Sequence, residues 1–120
     1  MNEQMILIAG PYRSGTGDDL VKIEMNVVQM QECAYEVYKK GHLPVLGEWF
    51  ALPLFEEAGS QKIGDEAFNA IFHPVAMKIL KRCDAVLRMG GPSAGADDMV
   101  RMGRELGKKI YLTLEEVPIL

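Results

Sequence analysis

A chain of 120 residues with 48% hydrophobic and 25% charged residues has the length and balance of one soluble globular domain, 1–120, and is too short for two. Its formal net charge of −4, with acids and bases interspersed, argues against a nucleic-acid polymer as partner. No apolar run approaches the roughly 20 residues of a membrane span, so no membrane partner is expected.

Asn2-Glu3-Gln4 leads straight into a strand and does not read as a signal peptide. Two isolated cysteines, Cys33 and Cys83, suggest packed thiols rather than a disulfide framework. The expected location is therefore cytoplasmic. With only His42 and His73 as histidines, no metal-ligand spacing emerges, and no cofactor is expected.

The first element is Met5-Ile-Leu-Ile-Ala, an unbroken apolar run of the kind covered on both faces in a parallel sheet. A polar, glycine-rich loop follows directly, Gly10 to Asp19, whose last two aspartates can cap a helix. From Leu20 to Lys40 apolar residues recur at Leu20, Ile23, Val27, Met30, Ala34 and Val37, which predicts a helix stopped by Gly41. Leu43-Pro-Val-Leu46 is a short second strand.

Gly47 to Gly64 is harder to place. Trp49 to Phe55 is strongly apolar, yet Pro53 discourages a central strand. A loop or short helix is expected, with aromatics that close a pocket, face another subunit or cap the core. Glu56 to Gly64 reads as a polar connector, and Asp65 to Phe72 as a short amphipathic helix. Pro74 suits the first position of a separate helix running from Val75 to Arg82. His73 before it reads as a packing or capping residue rather than a base.

The third strand, Asp84 to Arg88, runs into Gly90-Gly-Pro-Ser-Ala-Gly95, a turn that lets a ligand approach the backbone. The helix after it carries Ala96, Met99, Val100, Met102, Gly103 and Leu106, and Gly107 ends it. Asp97 and Asp98 at its start are either ordinary first-turn acids or a catalytic pair. Lys109 to Thr113 is a fourth strand, and Leu114 to Leu120 is a tail suited to cover a sheet edge or a neighbouring chain.

The alternation of strands and helices predicts an α/β fold, a flavodoxin- or Rossmann-like three-layer sandwich on a parallel sheet of four or five strands. Two glycine-rich loops, after the first and third strands, then leave the same sheet edge, where open α/β sheets bind ligands. Neither loop is a Walker or GxGxxG motif. They offer backbone N–H groups, Tyr12, Arg13, Ser14, Ser93 and the acids. A flat base would stack on Tyr12 or Trp49, and Arg13 would pair with a phosphate or carboxylate.

Three stretches together, ILIAGPYRS, GHLPVL and CDAVLRMGGPSAGADDMVRMGRELGKKIY, resemble the nucleoside 2-deoxyribosyltransferase superfamily, in particular its small bacterial branch. The resemblance spans nearly the whole chain and is tightest from Cys83 to Tyr111. It implies an N-glycosidase or deoxyribosyltransferase that cleaves the base–deoxyribose bond of a nucleoside or nucleotide through a carboxylate nucleophile. It also implies a homo-oligomer, a dimer or tetramer, with Trp49 to Phe55 suited to the contact.

In that family a serine-x-glycine turn precedes a helix bearing a glutamate nucleophile. Ser93-Ala-Gly95 supplies the turn, but the glutamate position falls on Asp98 or Met99. Asp98 is then the candidate nucleophile, one methylene short, and if Met99 is the equivalent the nucleophile is absent. Asp97 would help or contact the ribose, and Tyr12 would line the catalytic pocket. Gly10, Arg13, Ser14, Trp49, Ser93 and Gly95 would bind substrate. An aspartate the family often carries on the helix before the third strand is replaced in this neighbourhood by Ala76, with His73 one turn earlier. The alternative class is a nucleotide-binding or sensing module that kept the pocket and lost catalysis.

Overall fold

The computed structural model describes residues 2–120. Four strands, β1 (Met5–Ala9), β2 (Leu43–Val45), β3 (Ala85–Arg88) and β4 (Lys109–Tyr111), form one sheet in the order β2-β1-β3-β4. Every pairing is parallel. The helices are α1 (Leu20–Lys39), α2 (Gly47–Glu57), α3 (Glu66–Arg82) and α4 (Ala94–Glu105).

From β1 the chain steps one way to β2, and from there it returns past β1 to β3 and β4. Right-handed crossovers in opposite directions place helices on opposite faces. Accordingly Ile6 and Ile8 pack with Met30, Ala34 and Val37 of α1. Leu7 and Ala9 pack on the other face with Ala76, Leu80, Ala96 and Val100 of α3 and α4. This is the three-layer α/β architecture expected, with four strands.

The helix starts follow capping chemistry. The Asp19 carboxylate accepts the Val21 and Lys22 N–H groups at α1, Asp65 accepts Phe68 N–H at α3, and Ser93 Oγ accepts Ala96 N–H at α4. Asp65 also accepts from Gln61, Lys62 and Ser60, and these bonds hold its carboxyl down at about 2.

Residues 47–57 form a helix in spite of Pro53, which is the second of the two readings left open for that segment. One expectation is corrected: residues 66–82 form one continuous helix through Pro74 rather than two. Proline removes one N–H and crowds the preceding turn. The apolar face on either side is worth more here, since Ala51 and Phe55 of α2 and Phe68, Ala76, Ile79 and Leu80 of α3 are buried.

The tail beyond β4 folds back on α1. A 3₁₀ turn over Leu114–Glu116 is followed by buried Val117, and Lys40 Nζ donates to the carbonyls of Leu114 and Val117. The buried His42 ring completes the contact. Its Nδ1 accepts Gln4 N–H at 3.1 Å, so Nε2 carries the proton donated to the Pro118 carbonyl at 2.7 Å.

Candidate functional site

The chain reverses direction at β1, and the crevice outside the carboxyl ends of β1 and β3 is where such sheets hold ligands. Ala9 lies opposite Arg88, and Met89 N–H donates to the Ala9 carbonyl at 3.0 Å, so the two glycine-rich loops leave side by side. A cavity of about 320 Å³ opens there. That sits at the small end of the roughly 300–1,000 Å³ typical of ligand pockets.

Its walls come from four segments. The end of β1 and the loop after it contribute Gly10, Tyr12, Arg13 and Ser14. The first turn of α2 contributes Gly47 and Glu48, and α3 contributes Phe68, Asn69, Phe72, His73 and Ala76. The start of α4 contributes Ser93, Gly95, Ala96 and Met99. The first turns of α2 and α4 therefore both face the hollow, and their unpaired N–H groups favour an anionic or polar occupant.

One wall is aromatic. Tyr12 stacks on Phe68 with ring centroids 6.3 Å apart and tilts against Phe72 at 5.5 Å, while Phe68 and Phe72 stack at 5.3 Å. Such a wall suits a flat heterocycle. Tyr12 is held by its backbone as well, because Asn26 Nδ2 donates to its carbonyl at 2.9 Å.

Arg13 stands at the rim. Its guanidinium makes two bonds of 2.9 Å to the Asp18 carboxylate and lies over the Phe68 ring, 5.6 Å from the centroid. Asp18 takes a positive φ of 61° to offer that carboxylate, and the Thr16 hydroxyl braces the turn by donating to the Arg13 carbonyl at 2.6 Å. The pair holds the Asp18 carboxyl below its ordinary range.

Six of the nine residues expected from sequence share the cavity: Gly10, Tyr12, Arg13, Ser14, Ser93 and Gly95. Trp49 does not. It is 41% exposed and its indole N–H donates to Gln31 of α1, so it ties two helices together outside the hollow.

The two α4 acids also lie elsewhere. Asp97 turns back to the Arg88 guanidinium at 3.0 Å. Asp98 is exposed and faces Arg101 at 3.8 Å. Met99 is the residue of this pair that fills the cavity wall, 8% exposed. The reason is the helical period: Ala96, Met99, Val100 and Gly103 form the buried stripe, and Asp98 falls beside it.

The acid that does reach the cavity is Glu48, which sequence reasoning missed. It is 6% exposed at the start of α2. Burial pushes its carboxyl up to about 7, against which its own backbone N–H acts weakly. Tyr12 is raised too, first by burial and then by the Glu48 charge, which places the phenol and the carboxyl within electrostatic reach. The signal available was its position just past the second strand, at the same sheet edge as the two glycine loops.

Among the described residues no group of three or more His, Cys, Asp or Glu side chains is placed to hold a metal ion, and no helix is long and apolar enough to cross a membrane. No protein-family model matches the chain, and no curated protein matches it.

Proposed function

We propose that the chain binds a nucleoside or nucleotide in this cavity and does so without a carboxylate nucleophile from α4. The observation that carries this reading is the exchange at the head of α4, with Met99 in the cavity wall and Asp98 outside it. A methionine thioether cannot form the glycosyl ester that the resemblance to nucleoside 2-deoxyribosyltransferases implies. The rest of a nucleoside pocket is supported by the aromatic wall of Tyr12 and Phe72, by the first turns of α2 and α4, and by Arg13 at the rim. The reading therefore matches the binding or sensing alternative better than the transferase.

A thermal-shift panel of deoxynucleosides, ribonucleosides and their 5′-monophosphates tests it. A ligand at about 100 times its Kd stabilises the native state by about 2.7 kcal/mol, a rise of several degrees in the midpoint, and the ligand is recovered intact. A panel in which no nucleoside or nucleotide moves the midpoint rejects the proposal.

One observation favours a second reading. Glu48, with its carboxyl near 7, has the protonation behaviour of a general acid, and it could protonate a leaving base while water attacks the sugar. Release of free base by the wild-type chain, abolished in Glu48→Gln, would select that hydrolase over the binding module.

The reading extends to self-association. Trp49, Phe50, Leu52 and Leu54 of α2 and Leu20, Val21 and Met25 of α1 leave large apolar side chains exposed, and a second copy of the chain would cover them. Sedimentation equilibrium showing only monomer at tens of micromolar would remove this part.

A further inference from the structure

Among the described residues Glu48 is the only one that brings a carboxyl group to the cavity wall. It is more than nine-tenths buried, and no lysine, arginine or histidine among the described residues comes within ion-pair distance of it. The other acids near this edge are engaged elsewhere, Asp18 with Arg13, Asp97 with Arg88, and Asp98 on the side of Arg101. The Glu48 carboxyl meets its own backbone N–H and no cationic side chain among the described residues, so its remaining hydrogen-bonding capacity faces the cavity.

Resting on the nucleoside reading above, we propose that Glu48 is the group that reads the base, and that it selects an amino-heterocycle through a pair of hydrogen bonds made by its neutral carboxyl. A neutral carboxyl carries an O–H donor beside a carbonyl acceptor. That pair matches an edge on which a ring-nitrogen acceptor sits beside an exocyclic amino donor, as in cytosine and adenine. The ring of such a base would lie along Tyr12 and Phe72, with its edge toward the first turn of α2. Ionised Glu48 loses the donor and turns lone pairs toward the ring nitrogen. It then matches two adjacent donors, the N1–H and amino group of guanine. Occupancy by adenine or cytosine therefore carries a proton with it.

The groups sharing the cavity with Glu48 are Tyr12 and Arg13 from the first loop, His73 from α3, and the neutral Asn69, Ser14 and Ser93. His73 is the one imidazole among them, the side-chain type that can also change charge between pH 6 and pH 8, so the experiment must separate it from Glu48.

Calorimetric titration of the full chain with adenosine, cytidine and guanosine at pH 6 and pH 8 does so. Nucleosides carry no phosphate that titrates in this range. With the Glu48 carboxyl near 7, adenosine and cytidine are expected to bind about tenfold more weakly at pH 8 than at pH 6, and guanosine to show the reverse slope or none. Glu48→Gln keeps a donor beside an acceptor at every pH. It is expected to bind adenosine at pH 8 as tightly as the wild type does at pH 6, whereas Glu48→Ala loses binding at both.

A pH dependence that survives in Glu48→Gln belongs to His73 and overturns the proposal, as does a wild-type profile that is the same for adenosine and guanosine. In both cases nucleoside binding itself stands. If no nucleoside binds the folded wild type at either pH, the functional reading falls and this inference with it.

Discussion

Arg88 and Asp97 close the glycine turn on itself. The Arg88 Nε donates to Asp97 Oδ1 at 3.0 Å, while its two terminal nitrogens donate to the carbonyls of Met89 and Gly91, the latter at 2.8 Å. The strand end thereby holds both the turn and the first residues of α4. The Arg88 side chain is 14% exposed and Asp97 70%, so the two partners are not equivalent. Asp97→Ala is expected to cost about 0.5–1 kcal/mol, as an exposed partner does. Arg88→Ala, which strips donors from backbone carbonyls, is expected to cost about 2 kcal/mol. Denaturant unfolding checks both, and equal losses would contradict this arrangement.

The two loops of the cavity also touch each other. Gly90 has a φ of +78°, and a Cβ there would lie 2.7 Å from Pro11 Cδ, on a ring that cannot swing aside. Gly90→Ala is therefore expected to cost about 1–3 kcal/mol and to weaken ligand binding, because it separates the loops that form the wall. Gly91 next to it has no atom within 4 Å of its Cβ direction and no positive φ. Gly91→Ala should stay within about 0.5 kcal/mol of wild type in the same unfolding experiment.

Asp98 and Met99 give a matched pair of substitutions. Asp98→Asn removes an exposed charge 3.8 Å from Arg101 and should change neither stability nor nucleoside affinity measurably. Met99→Ala empties a buried site between α4 and the sheet edge and should cost about 2–5 kcal/mol. Loss of ligand binding in Asp98→Asn, with Met99→Ala unaffected, would return the α4 acid to the site.

The apolar runs at 5–9 and 85–88 and the three-then-four spacing of α1 were enough to place the sheet, the helices on its faces and the two loops at one edge. The resemblance places Asp98 in the site, whereas the buried stripe of Ala96, Met99, Val100 and Gly103, four of the six apolar positions named in that helix, leaves it to one side. What could not be read locally lay around the prolines. Pro74 looks like the start of a new helix and Pro53 argues only against a strand, and burial of the flanking side chains against other elements carries α3 and α2 through them. Glu48 escaped for a related reason. Nothing near it in the chain marks it as buried, and its burial depends on α3, where Ala76 comes within 3.9 Å of the Cβ direction of Gly47. An acid reads as a solvated first-turn residue until the element 28 positions later is laid across it.

Burial of Glu48 has a consequence for stability as well as for binding. Its carboxyl stands near 4.5 when the chain is unfolded and near 7 when folded. Between those values the native state keeps a proton that the unfolded state has released, so stability falls as pH rises. Below about pH 4.5 Glu48 contributes nothing to the pH dependence, and above about pH 7 the cost is complete, on the order of 3 kcal/mol. Glu48→Gln has no charge to desolvate. Urea unfolding should find it close to wild type at pH 5 and more stable than wild type at pH 8. A saturating nucleoside that bonds the neutral carboxyl would oppose the wild-type loss at pH 8. Were Glu48→Gln less stable than wild type at pH 8, the carboxylate would be a stabilising partner in the fold, and its role as the base-reading group of the cavity would be lost.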